Sequence, residues 1–455
     1  MSESGSLHAD NLWLDGRWQS GVRIELDDDG AVAQLATGAP GADCQRLGEF
    51  VLPGMPNVHS HAFQRAMAGL AERRQRDHDS FWSWREVMYA FAERIGPDEL
   101  HTIARQLYLE MLKAGYTRVC EFHYLHRRPD GGDYDDPAAM SLALVEAARE
   151  VGIGLTLLPV LYLTGGFDGR ALGPRQKRFG LPVEDWLALV ERLRGMADSQ
   201  LSVGLALHSL RAVPPQALRE VLATDAGRQL PIHIHIAEQL GEVQDCLALR
   251  KARPVEWLLD NAEVDSRWCL VHATHLVDAE VGAIAASGAT VGLCPTTEAN
   301  LGDGLFLLSE YQAAGGHIAI GSDSNVSVSP VEELRWLEYG QRLIKGKRHI
   351  AADTHASVGE TLWQSALEGG QRVSGMSPVF EPGSPADLLV LDTESPLLAG
   401  HGANTMLDSY LFAGNTPLVR DVMTAGQWRV RDFHHADEEV IAGDYRTTLE
   451  NLLEM

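Results

Sequence analysis

Short apolar runs alternate with longer amphipathic stretches through the middle of the chain. Each run has the length of a strand and each stretch the length of a helix, which is typical of strand–helix units that form a parallel sheet. Eight runs can be counted, as a closed (β/α)8 barrel requires. They cover residues 50–58, 118–122, 154–160, 202–207, 232–237, 268–271, 290–293 and 318–320.

A doubly wound open sheet is the competing architecture. Its early strands are followed by a glycine-rich phosphate-binding fingerprint. No such fingerprint follows the early runs of this chain. The pattern therefore favours the (β/α)8 barrel.

Both ends of the chain are rich in short strand-like pieces. They lie at residues 12–14, 22–26 and 31–35 near the start, and at 386–392 and 421–431 near the end. This arrangement predicts one small β domain built from both termini around the barrel. The expected limits are 1–48 for its first part, 49–375 for the barrel, and 376–455 for its second part with a terminal helix.

A long insert separates the first apolar run from the helix near residues 98–113. It passes through the sequence Phe81-Trp82-Ser83-Trp84-Arg85. That segment is too aromatic for a solvated loop, because large apolar side chains gain free energy from burial. We expect the insert to fold over the barrel mouth.

The chain is strongly acidic, which limits its partners. It has 455 residues and a formal net charge of −25. Nucleic acids and anionic membranes are bound through clustered Lys and Arg, so neither is expected as a partner. The overall charge leaves open a local basic pocket for a small acidic molecule.

The cysteines and the N-terminus predict a cytoplasmic protein. The five cysteines are odd in number and contain no CxxC pair, which is typical of reduced thiols. The first residues contain no cationic and apolar regions of a secretion signal. No apolar run reaches the ~18 residues of a membrane helix.

Histidines and carboxylates follow six of the eight predicted strands, where a barrel places its active site. His59 and His61 lie two residues apart, so both side chains point to the same side of an extended segment. His235 and Asp323 can add a third and a fourth ligand from across the barrel. Three imidazoles and one carboxylate suit Zn²⁺ with an open position for water, or Fe²⁺ or Mn²⁺.

Each of these residues also has a purely structural interpretation. An isolated HxH pair is weak evidence for a metal, and Asp323 could be a turn residue or helix cap before Ser329. His233 repeats the same spacing beside His235, and we expect it to be a packed or hydrogen-bonded residue one layer deeper. The metal hypothesis depends on all four ligands occurring together.

Two further residues are candidates for proton transfer. Glu238 lies just beyond the fifth strand, where a carboxylate can reach a substrate atom beside the metal. His272 ends the sixth strand and can stabilise a developing tetrahedral oxygen. The structural alternatives are an N-terminal helix acid for Glu238 and a satisfied core histidine for His272.

Taken together, these motifs resemble the amidohydrolase superfamily in its mononuclear deaminase branch. The resemblance covers essentially the whole chain and implies a barrel with an accessory β-sandwich formed from both termini. The motifs that carry it are Leu52-Pro53-Gly54-Met55-Pro56-Asn57 before His59-Ser60-His61, His235-x-x-Glu238, His272, Gly321-Ser322-Asp323 and Gly383-Ser384-Pro385-Ala386-Asp387-Leu388.

Shorter motifs are similar to those of the N-formimino-L-glutamate deiminases of histidine degradation. They include His61-Ala62-Phe63-Gln64-Arg65, Phe81-Trp82-Ser83-Trp84-Arg85, Glu121-Phe122-His123-Tyr124 and His208-Ser209-Leu210-Arg211-Ala212-Val213. This resemblance implies hydrolysis of formiminoglutamate to N-formyl-L-glutamate and ammonia, one zinc per subunit with iron as the alternative, and a homodimer. It implies zinc ligands His59, His61, His235 and Asp323, proton transfer by Glu238, His272 and Asp323, and substrate binding by Gln64, Arg85, Tyr124, His208 and Arg211.

The charge of this substrate is complementary to two of these residues. Formiminoglutamate carries two carboxylates, and Arg85 and Arg211 can each bind one through paired hydrogen bonds. They could equally be surface arginines, and Tyr124 and Gln64 could be packing or capping residues. The alternative functions are a related deaminase acting on guanine, another purine or a triazine, and a barrel without activity that serves as a scaffold.

Overall fold

The computed structural model describes residues 5–72, 81–352, 357–375, 377 and 379–454, with the backbone alone at 81–83. The strands in this part of the chain form two sheets. In chain order they are β1 (Ser6–Leu14), β2 (Arg17–Leu26), β3 (Val32–Thr37), β4 (Gln45–Pro53), β5 (Met55–Ser60), β6 (Tyr116–His123), β7 (Gly154–Leu161), β8 (Leu201–Val203), β9 (Leu205–Ser209), β10 (Ile232–Ile236), β11 (Trp268–His272), β12 (Thr290–Leu293), β13 (His317–Ile320), β14 (Leu388–Leu391), β15 (Val419–Thr424), β16 (Gln427–Arg431) and β17 (His434–His435).

Most of the helices follow strands of the central sheet. In chain order they are α1 (Phe81–Ala92), α2 (Pro97–Ala114), α3 (Ala139–Val151), α4 (Val183–Arg194), α5 (Pro215–Leu222), α6 (Asp225–Gln229), α7 (Leu240–Arg250), α8 (Pro254–Asn261), α9 (Asp278–Ser287), α10 (Pro295–Leu301), α11 (Leu308–Ala313), α12 (Pro330–Lys345), α13 (Val358–Val373), α14 (Met406–Phe412) and α15 (Glu438–Glu454), with 3-10 helices at Ala62–Met67 and Pro174–Phe179.

The central sheet is a nearly closed parallel barrel. Its strand order is β5-β6-β7-β9-β10-β11-β12-β13, and β8 extends the position of β9 beside β7. Two backbone hydrogen bonds join the first and last strands at their carboxyl ends. The His61 amide donates to the Asp323 carbonyl (3.0 Å), and the Asp323 amide donates to the His59 carbonyl (2.9 Å). The predicted (β/α)8 barrel is confirmed, and the open doubly wound sheet is wrong.

Both ends of the chain form a second sheet, as the sequence predicts. Its order is β17-β16-β15-β14-β4-β1-β2-β3, so strands from the N- and C-terminal segments meet in the middle. There β4 runs parallel to β1 and antiparallel to β14. One face of this sheet buries its own apolar core, which includes Leu12, Ile24 and Val390. The sheet is therefore a separate layer with a core distinct from that of the barrel.

Two predicted strands are each divided by a glycine. The run at 50–58 changes sheets at Gly54, so its first half lies in β4 and its second half in β5. A Cβ at Gly54 would lie only 2.1 Å from Thr117 Oγ1, which shows how closely the chain passes the next strand there. The run at 202–207 is interrupted at Gly204 and forms β8 and β9.

The aromatic insert covers the barrel mouth in the part that the structure describes. Helix α1 places Trp84, Arg85 and Met88 in the wall of the cleft at that mouth. Residues 73–80 of the insert and the side chains at 81–83 lie outside the described residues. Helix α2 then begins with Pro97 after Gly96, whose amide donates to Glu99 Oε2 (2.8 Å).

The terminal helix α15 packs against the barrel, not against the small sheet alone. It lies along α2, where Lys113 and Glu438 form an ion pair at 2.5 Å. At the other end of α15, Arg94 Nη1 donates to the carbonyl of Leu452 (2.7 Å). The last helix therefore packs the C-terminal end of the chain against the barrel.

All five cysteines are free thiols, and four of them are buried. Among the described residues, no helix combines the length and the apolar character needed to cross a bilayer.

Candidate metal centre and active site

The four predicted metal ligands converge at the carboxyl end of the barrel. Their ligand atoms all lie within 4.8 Å of one another. Asp323 Oδ1 lies 3.4 Å from His59 Nε2 and 3.2 Å from His61 Nε2. The Nε2 atoms of His59 and His235 are 2.9 Å apart. Side chains more than 260 residues apart in the sequence thus share one small, buried volume.

The four ligand side chains are positioned by the ends of barrel strands and by turns with unusual backbone angles. His59 belongs to β5 and His235 to β10, whereas His61 directly follows β5 and Asp323 follows β13. Asp323 has a φ of 46°, and His272 at the end of β11 has a φ of 69°. Non-glycine residues rarely adopt this left-handed conformation, and strain of this kind tends to occur at functional sites. The backbone therefore turns sharply at Asp323 and at His272, where these side chains enter the site.

Hydrogen bonds fix the orientation of two imidazoles. Nδ1 of His61 donates to the Phe122 carbonyl (2.8 Å), and Nδ1 of His235 donates to the His208 carbonyl (2.9 Å). Each Nε2 then presents its lone pair to the cluster, which is the usual arrangement of a metal-bound histidine.

The electrostatics of the cluster favour a bound cation. Burial lowers the pKa of His59 to about 3 and holds the pKa of His235 well below its usual value, so both rings are neutral. Burial alone would raise the pKa of Asp323, but the adjacent imidazoles of His59 and His61 keep it well below the usual range. The lone pairs of neutral nitrogens that face each other beside a carboxylate repel one another. A divalent ion between them removes this repulsion.

A polar network supports Asp323 from behind. Asn57 on β5 donates to Ser322 Oγ (2.7 Å) and accepts from the Ser322 amide (3.1 Å). Ser322 Oγ donates to Asn325 Oδ1 (2.6 Å), and Asn325 Nδ2 donates to the His61 carbonyl (3.1 Å). These bonds connect the two closing strands on either side of the ligands, which fixes the ligand spacing.

One cleft at the barrel mouth contains the predicted catalytic and substrate-binding residues together. His59 lies deeper, beneath this surface. The lining residues are His61, Gln64, Trp84, Arg85, Met88, Tyr124, Tyr162, Phe179, His208, Arg211, His235, Glu238, His272, Leu301 and Asp323.

Glu238 and His272 each shift the pKa of the other through their charges. Burial raises the pKa of Glu238, while the charge of His272 opposes this rise. Burial lowers the pKa of His272, but Glu238, a hydrogen bond to Glu298 and Asp323 outweigh it and raise that pKa to about 10. Glu298 Oε1 lies 3.3 Å from His272 Nδ1. The neighbouring carboxylates therefore favour the protonated, hydrogen-bond-donating form of His272, and burial increases the proton affinity of Glu238.

Two arginines enter the cleft from different elements. Arg85 comes from α1 and Arg211 from the loop after β9, and both side chains are half-buried. Arg85 Nη2 and Arg211 Nη1 each lie 3.3 Å from the phenol oxygen of Tyr162. The alternative interpretation of both as surface arginines is wrong.

Three further predicted residues complete the polar wall. Gln64 Nε2 donates to the Tyr124 hydroxyl (2.9 Å), and Gln64 Oε1 is buried without a hydrogen-bond partner among the described residues. Burial and the nearby charges of Arg211 and Arg85 hold the pKa of His208 well below its usual value. The cleft thus offers a carbonyl oxygen, a hydroxyl and a neutral imidazole close to two cations.

Asp323 lies in a turn, as one alternative expects, but neither Asp323 nor Glu238 caps a helix. Ser329, not Asp323, caps α12 through a hydrogen bond from the Glu332 amide (3.4 Å). Glu238 precedes Gln239, which is the N-cap of α7, so it is neither the cap nor a first-turn acid. His233 lies deeper, as expected, and its Nε2 donates to the Val373 carbonyl (2.8 Å).

A second group that could hold a metal overlaps the first. It consists of His272, Cys294 and Asp323. Burial keeps the pKa of the Cys294 thiol well above its usual value, and metals bind the thiolate form. The raised pKa of His272 favours its protonated ring, which has no lone pair for a metal, so this group is the poorer ligand set.

Sequence reasoning missed Tyr162, Glu298 and Asn57. Tyr162 directly follows β7, so the search for polar residues at strand ends could have found it. Glu298 lies in helix α10 and contacts His272 only through the fold. Asn57 lies inside an apolar strand, where its hydrogen bonds to Ser322 leave no local signal.

Comparisons with known proteins agree with this geometry. Residues 50–429 match the family model described as the amidohydrolase family. The chain is 52% identical to formimidoylglutamate deiminase from Pseudomonas aeruginosa over 99% of this chain and 100% of that protein. A crystal structure of an amidohydrolase from Brucella melitensis has a TM-score of 0.93 and 43% identity, with 99% and 100% coverage. An adenosine deaminase from Xanthomonas campestris with bound zinc shares the fold at a TM-score of 0.81 and 19% identity, with 99% and 98% coverage.

Proposed function

Because this chain belongs to the amidohydrolase family, we propose that it is a metal-dependent deiminase of N-formimino-L-glutamate in histidine degradation. The products are N-formyl-L-glutamate and ammonia. The similarity to formimidoylglutamate deiminase over the full chain supports this activity. The observation that carries it is the pair of guanidinium groups, Arg85 and Arg211, in the same cleft as the His-Asp cluster.

We propose one zinc ion per chain, held by His59, His61, His235 and Asp323, with iron as the alternative. Three imidazoles and a carboxylate without a thiolate match the donor sets of hydrolytic zinc sites. When bound, such an ion acts as a Lewis acid and lowers the pKa of water toward ~7.

Substrate binding depends on the cations of the cleft. Arg85 and Arg211 bind the carboxylates of the substrate, since guanidinium groups form paired, charge-assisted hydrogen bonds with carboxylates. The buried Gln64 Oε1 accepts an N–H from the formimino group. Tyr124 and the neutral His208 complete the contacts around it.

Proton transfer is divided among three residues. Asp323 accepts a proton from the attacking water as its oxygen bonds to the formimino carbon. His272, held as a cation, donates a hydrogen bond to the oxygen of the tetrahedral centre. Glu238 carries protons to the terminal nitrogen, which then leaves as ammonia. In this mechanism the nitrogen attached to glutamate stays in place because Glu238 would face the terminal nitrogen.

A comparison of two substrates tests this function. Ammonia release is measured with formiminoglutamate and with guanine, using protein whose metal content is known. We expect turnover of formiminoglutamate and none of guanine, because a flat, neutral purine makes no use of two guanidinium groups. Preferred turnover of guanine would overturn the proposal.

The variant Arg211→Met separates dicarboxylate recognition from the chemical step. Loss of one charge-assisted contact raises KM for formiminoglutamate by about 10- to 100-fold. The matched control Arg219→Met removes an exposed arginine of α5 outside the cleft and leaves KM unchanged. Equal KM values in both variants would exclude Arg211 from substrate binding.

We also propose that the enzyme is a cytoplasmic homodimer. Its similarity to a metabolic enzyme and its five free cysteines support a reducing compartment. Sedimentation velocity tests the assembly, with an expected mass of twice the 49.7 kDa chain. A species of the chain mass alone would contradict the dimer.

A further inference from the structure

Tyr162 lies at the centre of the cationic part of the cleft. It follows β7 directly, and only 1% of its surface is exposed. Its phenol oxygen accepts N–H groups from Arg85 Nη2 (3.3 Å), Arg211 Nη1 (3.3 Å) and Gln176 Nε2 (3.0 Å). One oxygen therefore connects both guanidinium groups.

This contact fixes the spacing of the two cations. Their nearest nitrogens are no further apart than twice 3.3 Å, since both bond to the same atom. Two guanidinium groups this close repel each other in a desolvated site. A shared acceptor offsets that repulsion and holds both groups in one orientation.

The surroundings hold the phenol itself in place. Gln176, in the 3-10 helix Pro174–Phe179, accepts the Gly173 amide at its Oε1 (3.0 Å), so its amide nitrogen faces Tyr162. The Tyr162 ring packs edge-to-face on His208, with ring centroids 4.4 Å apart. The oxygen thus has little freedom to move away from the arginines.

The charge of the site agrees with this geometry. Burial would raise the pKa of Tyr162, but the charges of Arg211 and Arg85 and the bonds from Arg211 and Gln176 outweigh it and lower that pKa. The two guanidinium groups therefore stabilise the charged form of this phenol, in contrast to an ordinary buried tyrosine.

We propose that Tyr162 is a positioning residue that sets substrate specificity by holding Arg85 and Arg211 at the spacing of a dicarboxylate. This inference rests on the proposed function, because it assigns the carboxylate subsite of the same reaction. Tyr162 acts through the arginines. It therefore affects the binding of the carboxylate that formiminoglutamate has in addition to that of a monocarboxylate, and it leaves the hydrolytic step unchanged.

The test is Tyr162→Phe, which keeps the ring and removes the shared acceptor. Kinetics are measured with formiminoglutamate, which has two carboxylates, and with formiminoglycine, which has one. We expect KM for formiminoglutamate to rise about 10-fold while kcat changes less than about threefold. The preference for formiminoglutamate over formiminoglycine falls by a similar factor. A purely structural role would instead reduce the turnover of both substrates equally, and that result would overturn the inference.

Tyr311→Phe is the matched control. Tyr311 is also buried, and its hydroxyl donates to the Ala289 carbonyl (3.2 Å) outside the cleft. This variant loses a buried hydrogen bond of the same kind, yet its substrate preference should equal that of the wild type. The same change of preference in both variants would show a general effect of destabilisation and contradict a specific role of Tyr162.

Direct binding of glutarate separates this inference from the proposed function. Calorimetry on the metal-loaded protein measures dicarboxylate affinity without turnover, and Tyr162→Phe should weaken it about 10-fold. If wild-type protein binds glutarate but does not hydrolyse formiminoglutamate, the function fails and the role of Tyr162 is still tested. Unchanged glutarate affinity in the variant overturns the inference alone.

A second variant keeps the test decisive if Tyr162→Phe does not fold. Gln176→Leu leaves the phenol in place and removes the amide that orients it. We expect KM for formiminoglutamate to rise in the same direction by about threefold. No change in KM with this variant would also contradict the inference.

Discussion

Glu238 combines a position in the cleft with an increased proton affinity. Its carboxyl group lines the cleft beside His272 and Asp323, and burial raises its pKa. A carboxyl group of this kind can hold a proton near neutral pH and pass it to a leaving nitrogen. It lies three residues from His235 but is not among the four clustered ligands.

The variant Glu238→Gln should keep its metal and lose its activity. The amide fills the same space but cannot transfer a proton, so kcat falls by about 10² or more. Metal content per chain and kcat for formiminoglutamate are the two measurements. Turnover close to that of the wild type would remove Glu238 from the mechanism.

Glu242→Gln is the control for this change. Glu242 lies one helical turn further on, and its Oε2 accepts the Glu238 amide (3.0 Å). Glutamine retains that acceptor, so kcat should stay within about threefold of wild type. A loss as large as that of Glu238→Gln would indicate a general disturbance of the loop.

Single residues could be predicted from the sequence when their position alone carried the signal. His59, His61, His235 and Asp323 follow apolar strands, and the barrel geometry brings all strand ends to one face. Tyr162 and Glu298 differ, because their importance lies in contacts with Arg85, Arg211 and His272. Such contacts between distant segments leave no mark in the local sequence.

At the scale of elements, the contact between β5 and β13 determines the site. Gly321 directly follows β13, and a Cβ there would lie 2.8 Å from His59 Cβ and 2.9 Å from the His59 nitrogen and oxygen. The absence of a side chain lets the last strand approach the first closely enough for their two closing hydrogen bonds. The spacing between His59 and Asp323 depends on this approach.

Gly321→Ala should therefore weaken both the fold and the metal site. Overpacking of this kind costs about 1–3 kcal/mol of unfolding free energy. The displaced strands separate Asp323 from the histidines, so metal content per chain should also fall. Denaturant unfolding and metal analysis are the measurements, and a fully loaded, equally stable variant would contradict the explanation.

Gly282→Ala provides the matched control. Gly282 lies inside α9, and a Cβ there would meet nothing within 4 Å. Alanine is the better helix former, so this variant should gain about 0.5–1 kcal/mol and keep its metal.

Element boundaries were less predictable than the elements themselves. Hydrophobic periodicity located eight barrel strands, but it did not show that the run at 50–58 changes sheets at Gly54. That change depends on β14 and β1, which lie far away in the sequence and pair with β4. An apolar run shows that a strand is buried and does not identify its partner strands.

At the scale of the whole molecule, a cleft with two arginines lies in a chain whose net charge is −25. Overall charge governs solubility and association, whereas the pocket is governed by the few groups that line it. The composition predicted no partner of the kind that binds clustered basic residues, and only the fold showed where two arginines meet.

Metal removal should affect the stability of the whole barrel. Ligands from β5, β10 and the end of β13 share the site, so the ion binds the folded chain and not the unfolded one. Free metal at a thousand times its Kd stabilises by about 4 kcal/mol. Chelation should therefore lower Tm by several degrees, and added zinc should restore it. An unchanged Tm in protein shown to have lost its metal would contradict this linkage.

Product analysis on metal-loaded protein tests the central claim most directly. Proton NMR follows formiminoglutamate in the presence of protein with one divalent ion per chain, and ammonia is measured in parallel. The account predicts N-formyl-L-glutamate and ammonia in equal amounts, with turnover lost on chelation and regained with zinc. Unconsumed substrate, or its conversion to glutamate and formamide, would contradict it.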